Sequence, residues 1–132
     1  MIVLDASVVV DLVLNRSPTA QALANRLRKE APCMLAPHLL DVEVTQVIRR
    51  QVLAGALSIV EARAAVVDLC DLPIVRCAHA PLLERALAFR QNITVYDAMY
   101  LAIAEAFGAV LLTRDRAMAR VPGCTAAVEV LR

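Results

Sequence analysis

Short apolar-rich runs alternate along this chain with longer stretches in which apolar residues return every three or four positions. The short runs cover residues 2–5, 33–36, 73–77, 109–113 and 127–131, with Asp5, Arg76 and Glu129 the charged residues among them. Each has the length of a strand buried on both faces, which needs no polar alternation. The periodic stretches between them predict helices. Ser7 is placed to cap one over residues 8–14. Ser17-Pro18 opens another that continues to Glu30, with proline at the first helical position, where its missing N–H is not needed. Pro37 begins a long helix to about Ala54, closed by Gly55. Ser58 and Glu61 have capping-box spacing for the next, which runs to about Cys70. Residues 81–90 and 94–107 are two more, and a helical turn covers residues 115–120. Strands alternating with helices through one chain predict an α/β domain on a parallel sheet with helices on both faces.

With 132 residues the chain has the size of one domain, 1–132, and shows no linker composition. Hydrophobic residues make up 60% of it and aromatic residues only 3%, so Ala, Val, Leu and Ile must build the core. Charges interrupt every apolar run before the roughly 18 residues of a membrane span. The first residues lack the basic flank and length of a signal peptide, and a cytoplasmic protein is the expectation. So apolar a small domain should also expose apolar surface, which points to a homodimer or a dedicated partner. A net charge of +1 gives no global attraction to nucleic acid, although arginines cluster at 26–28, 49–50 and 114–120. The four cysteines have no metal-ligand spacing and read as reduced core residues.

The candidate chemistry lies in four acids. Asp5 ends the first apolar run, where an unpaired buried charge is costly. Asp115 stands two residues past the end of the fourth, after Arg114. In parallel sheets ligands bind beyond the carboxyl ends of the strands where strand order reverses, so these two acids would meet if those strands are neighbours. Glu43 falls on or beside the apolar stripe of its helix, whereas Asp41 shares a face with Thr45 and Arg49 and reads as solvated. Asp97 sits in the first turn of its helix. Each acid has a purely structural alternative. The alternative for Asp5 and Asp115 is a turn or helix-start acid, and for Thr94-x-x-Asp97 a capping box favoured by the helix dipole.

Other chemistries lack their parts. His38 and His79 have no nucleophile-like Ser or Cys beside them, and three scattered glycines make no phosphate loop. Oxygen ligands for a hard divalent cation remain, because converging carboxylates repel one another until a cation relieves them. Such an ion would lower the pKa of a bound water and neutralise phosphodiester charge during in-line displacement. Ser7 and Thr113 flank the acids as hydroxyls able to orient them, and Arg114 and Arg116 as candidate phosphate contacts.

Three pieces, IVLDASVVVDLVL, PHLLDVEVTQVIRR and YDAMYLAIAEAFGAVLLTRDRAMAR, in that order and spacing, resemble the PIN-domain ribonucleases, in particular the VapC-type toxins of bacterial toxin–antitoxin pairs. The resemblance covers the whole chain. It implies a three-layer α/β/α sandwich on a central parallel sheet of about five strands. It also implies a Mg²⁺- or Mn²⁺-dependent endoribonuclease whose acids match Asp5, Glu43, Asp97 and Asp115, with Ser7 and Thr113 at polar positions such sites carry. A small antitoxin partner and a homodimer are implied as well. The family sometimes has a fifth acid where this chain has Ala117. Two other readings stay open, a metal-dependent DNA nuclease and a catalytically silent PIN domain that only binds RNA or protein. A haloacid-dehalogenase-type phosphatase would need a second Asp where Ser7 stands. A phosphoacceptor receiver would need a late Lys, and the only Lys is Lys29.

Overall fold

The five apolar runs form one sheet in the computed structural model, which describes residues 1–132. The strands are β1 (Ile2–Leu4), β2 (Met34–Pro37), β3 (Ile74–Cys77), β4 (Val110–Thr113) and β5 (Ala127–Val130). Every neighbouring pair is parallel, and the order across the sheet is β3-β2-β1-β4-β5. The chain steps outward from β1 to β2 and β3, then returns to the other side of β1 for β4 and β5. The reversal falls between β1 and β4, which makes the crevice beyond their carboxyl ends the place for a ligand. Leu4 is in register with Leu112, so Asp5 and Thr113 are level.

Six helices cover the sheet: α1 (Ala6–Leu14), α2 (Pro18–Glu30), α3 (Leu39–Leu53), α4 (Ile59–Asp71), α5 (Leu83–Ala88) and α6 (Val95–Phe107). α1 packs against α2, α3 and α4, while α5 packs on α6 and α6 lies across β2, β1 and β4. The architecture is the three-layer α/β/α sandwich. Its core is one cluster of 31 buried residues, mostly aliphatic, and Tyr100 is the largest side chain fully enclosed in it.

Several expectations of detail are corrected. Ser7 does not cap α1; Asp5 does, through its carboxylate to the Ala6 N–H. Pro37 does not open α3 but ends β2, paired with Cys77. Proline can occupy a strand end where no ladder N–H is required. The ladder continues one step further, from the His38 N–H to the Cys77 carbonyl at 3.0 Å, and α3 begins only at Leu39. The stretch 81–90 divides into a 3₁₀ turn, Ala80–Leu82, and the short α5. Asp41 is not simply solvated: it pairs with Arg76, whose guanidinium also donates to the carbonyls of Leu69, Leu72 and Ile74. The cysteines are free, as expected, but only Cys77 and Cys124 pack against the core. Cys33 and Cys70 are exposed, and Cys77 and Cys124 partly so.

Candidate active site

Asp5 is the fixed point of the site. Its carboxylate is 8% exposed and accepts three hydrogen bonds. Oδ1 takes the Ala6 N–H at 2.7 Å, and Oδ2 takes the hydroxyls of Ser7 at 2.9 Å and Thr113 at 2.7 Å. None of these donors carries a charge, so they satisfy and orient the carboxylate without neutralising it. Each hydroxyl also accepts. The Arg114 N–H donates to Ser7 Oγ at 3.2 Å, and the Asp115 N–H donates to Thr113 Oγ1 at 3.0 Å. Two hydroxyls thus link the end of β1 to the segment after β4, where Asp115 stands exposed. Asp115 Oδ1 caps the short 3₁₀ turn Arg116–Arg120 through the Ala117 N–H. Both strand-end acids serve the structural role open to them from sequence, and both stand at the topological switch point.

Glu43 and Asp97 come from helices on either side. Glu43 Oε1 accepts the Tyr100 hydroxyl at 2.8 Å, which joins α3 to α6. Asp97 is the third residue of α6. Its N–H is capped by the Thr94 hydroxyl at 3.2 Å, but no return bond from its carboxylate to the Thr94 N–H completes a capping box. Burial pushes the Glu43 carboxyl above the usual carboxylate range, the charges of Asp5 and Asp97 push it further, and the Tyr100 O–H opposes them. Burial likewise raises Asp97, reinforced by Asp5 and Asp115. Burial raises the Tyr100 hydroxyl too, with Glu43 next, so it stays a donor. The charges therefore interact across all four elements, with Asp5 and Asp97 central and Glu43 and Asp115 flanking.

No Lys or Arg forms an ion pair with any of the four, although six other acids in the chain are paired. The site holds concentrated negative charge without its own counter-ion. That donor set suits a hard divalent cation. As they stand, however, no three His, Cys, Asp or Glu side chains are placed to hold a metal ion together. An ion that keeps several waters and takes one or two carboxylates fits such a site, and one needing an all-protein cage does not.

Of the two candidate phosphate contacts, Arg114 is committed elsewhere. It pairs with Asp11 on α1 and donates to the Arg132 carbonyl at 2.7 Å. Arg116 is exposed and unpaired. The larger cavities lie away from the acids. One of about 570 Å³ runs between α3 and α4, lined by Ile48, Val52, Leu53 and Val66.

The model of the PIN domain matches residues 2–123. The chain belongs to the PIN-domain family, in its VapC branch. Ribonuclease VapC1 of Mycobacterium tuberculosis is 39% identical over 131 residues, 98% of this chain and 97% of that protein. Among solved structures, PAE2754 from Pyrobaculum aerophilum superposes with a TM-score of 0.75 at 22% identity, over 98% of this PIN domain and 83% of that chain. VapBC2 from Rickettsia felis, bound to a DNA fragment from its promoter, matches with a TM-score of 0.70 at 15% identity over 98% of each chain. At these identities the two structures speak for the PIN fold alone.

One residue of this PIN domain that touches the site escaped the sequence reading. Tyr100 looks like core, and its helical spacing from Asp97 was the one available signal. His79, which the sequence marks as structural, accepts the Leu39 N–H through Nε2 at 2.9 Å and so caps α3, the helix of Glu43, from another strand's loop. No local pattern encodes that.

Proposed function

We propose that this VapC-type PIN domain is the toxin of a toxin–antitoxin pair and cleaves RNA phosphodiester bonds by Mg²⁺- or Mn²⁺-dependent hydrolysis. One observation supports the reading: four carboxylates from two strand ends and two helices stand near enough for their charges to act on one another, and none has a cationic partner. A binding-only surface for RNA would gain nothing from such charge, because phosphate is repelled by it.

Asp5 and Asp97 would hold the ion, with Glu43 and Asp115 flanking. Bound there, it would lower the pKa of a water and neutralise charge on the phosphodiester. The chain's own residues do the rest. Ser7 and Thr113 hold the Asp5 carboxylate in one orientation, so little reorganisation is needed when substrate arrives. Glu43, its proton affinity raised by burial, is suited to take a proton from the attacking water. Arg116 is available to a substrate phosphate, whereas Arg114 keeps the C-terminal end against α1. Ala117 provides no fifth carboxylate. The antitoxin would cover this site, and a second copy of the chain the exposed apolar face of α3 and α4.

The test is purified, partner-free protein incubated with end-labelled total RNA, in Mn²⁺ or in excess EDTA, beside Asp5→Asn. Discrete cuts that need metal and vanish in the variant are expected. Cutting that survives both EDTA and the substitution would show a contaminant. Metal-dependent cutting of DNA with RNA untouched would replace the ribonuclease by a DNA nuclease.

A further inference from the structure

The chain has four aromatic residues, two Tyr and two Phe, and no Trp. Tyr100 and Phe89 are buried at 0% and 3% exposure. Of the two exposed rings, Phe107 at 45% ends α6, whereas Tyr96 at 67% immediately precedes Asp97. Its hydroxyl has no partner in the protein, and an exposed ring in the first turn of a helix adds nothing to that helix's stability. Tyr96 stands four residues before Tyr100, on the same stripe of α6 and one turn nearer the helix N-terminus. Helical side chains lean toward the N-terminus. That end of α6 is the site end, because Asp97 stands in its first turn and Tyr100, one turn on, donates its hydroxyl to Glu43. Across the site, the exposed and unpaired Arg116 adjoins Asp115.

We propose that Tyr96 is the base-stacking residue of the RNA site, holding an unpaired nucleotide of the substrate against its ring beside the scissile phosphate. The proposal rests on the ribonuclease reading and narrows it to RNA whose bases are free to unstack. A phosphate-only contact would serve duplex and single strand alike. An aromatic face takes any base that is not already stacked between neighbours in a helix. Stacking of this kind changes affinity by about tenfold or more per base, and it acts on substrate binding more than on the chemical step.

Two measurements test it. Steady-state cleavage of a single-stranded oligoribonucleotide in Mn²⁺ is compared for wild type, Tyr96→Phe and Tyr96→Leu. The Leu variant should raise KM about tenfold with kcat little changed, and the Phe variant should stay near wild type. Mn²⁺ affinity, read by titration without RNA, should be equal in all three. In Tyr96→Trp the new side chain is the protein's only tryptophan. Its fluorescence, with Ca²⁺ in place of Mn²⁺ to slow turnover, should be quenched by the single strand and hardly by the same strand annealed to its complement. An unchanged KM in Tyr96→Leu, in a protein that does cut RNA, would overturn the stacking role and leave the nuclease intact. Equal losses in Phe and Leu would overturn it in favour of a hydroxyl contact. A wild type that neither binds nor cuts RNA would overturn both readings together.

Discussion

Tyr100 shows how one atom can matter in an otherwise apolar side chain. Its ring fills the core under the sheet while its O–H leaves the core to meet Glu43. Tyr100→Phe keeps the packing and removes that donor. Because Glu43 is half-buried and can recruit water in part, we expect a stability loss of about 1 kcal/mol in urea unfolding. RNA cleavage should fall more steeply, since Glu43 loses its orientation; cleavage at the wild-type rate would sever Tyr100 from the site. The raised carboxyls make a second prediction. Between the ordinary carboxylate range and their raised folded values, Glu43 and Asp97 keep protons that the unfolded chain has released. Their protonation therefore favours folding at the acid end, and that contribution is lost as pH rises through the folded values. Without metal, Asp97→Asn should gain stability over wild type as pH climbs from about 4 to 7. Mn²⁺ should cancel the gain by stabilising wild type alone. A difference that does not vary with pH would contradict the assigned burial.

At the scale of elements, the site depends on how helices start. α1 starts on Asp5, so one carboxylate both caps the helix and points its remaining oxygen toward Thr113. α6 starts on Thr94, which leaves the Asp97 carboxylate free of capping. α3 has no cap of its own side chains and borrows His79 Nε2, which must be unprotonated to accept. His79→Ala should cost about 1 kcal/mol, as loss of an N-cap does, and hydrogen exchange should quicken in the first turn of α3. His79→Asn, which keeps an acceptor, should restore part of it. Protection unchanged in the Ala variant would show that Leu39 finds water instead. The fit between elements also explains Arg114. By pairing with Asp11 and the Arg132 carbonyl it closes the edge beside β5, whereas Arg116 stays exposed and unpaired.

For the whole molecule, the notable quantity is apolar surface. Val42 and Leu53 of α3 and Ile59, Val60 and Val67 of α4 are all more than half exposed, and Leu53, Ile59 and Val67 line the cavity between those helices. A patch of this kind marks an interface. We expect sedimentation to find a dimer, and Val60→Glu with Val67→Glu to shift it toward monomer while the fold, read by circular dichroism, persists. A wild-type monomer at micromolar concentration would reserve this face for the antitoxin. No helix is long and apolar enough to cross a membrane.

Some of this was legible in the sequence because it is encoded locally. Short apolar-rich runs marked the five strands, because buried parallel strands need no polar face. The Ser58–Glu61 capping box formed as its spacing implied. The acids at 5 and 115 marked strand ends, since a carboxylate cannot continue a buried run. Other features depend on partners far apart in the chain, and only the tertiary structure decided them. The adjacency of β1 and β4 set Thr113 against Asp5, 108 residues away. The crossing of α3 and α6 gave Glu43 its tyrosine. The loop after β3 supplied the cap of α3, and with that ladder in place Pro37 became a strand end instead of a helix start. Apolar character failed as a guide to the cysteines, because hydrophobicity permits burial without requiring it. Short-range patterns determine which segments become strands and helices. Which polar groups meet between those segments follows from packing, where each buried donor and acceptor must find whatever partner the fold brings near.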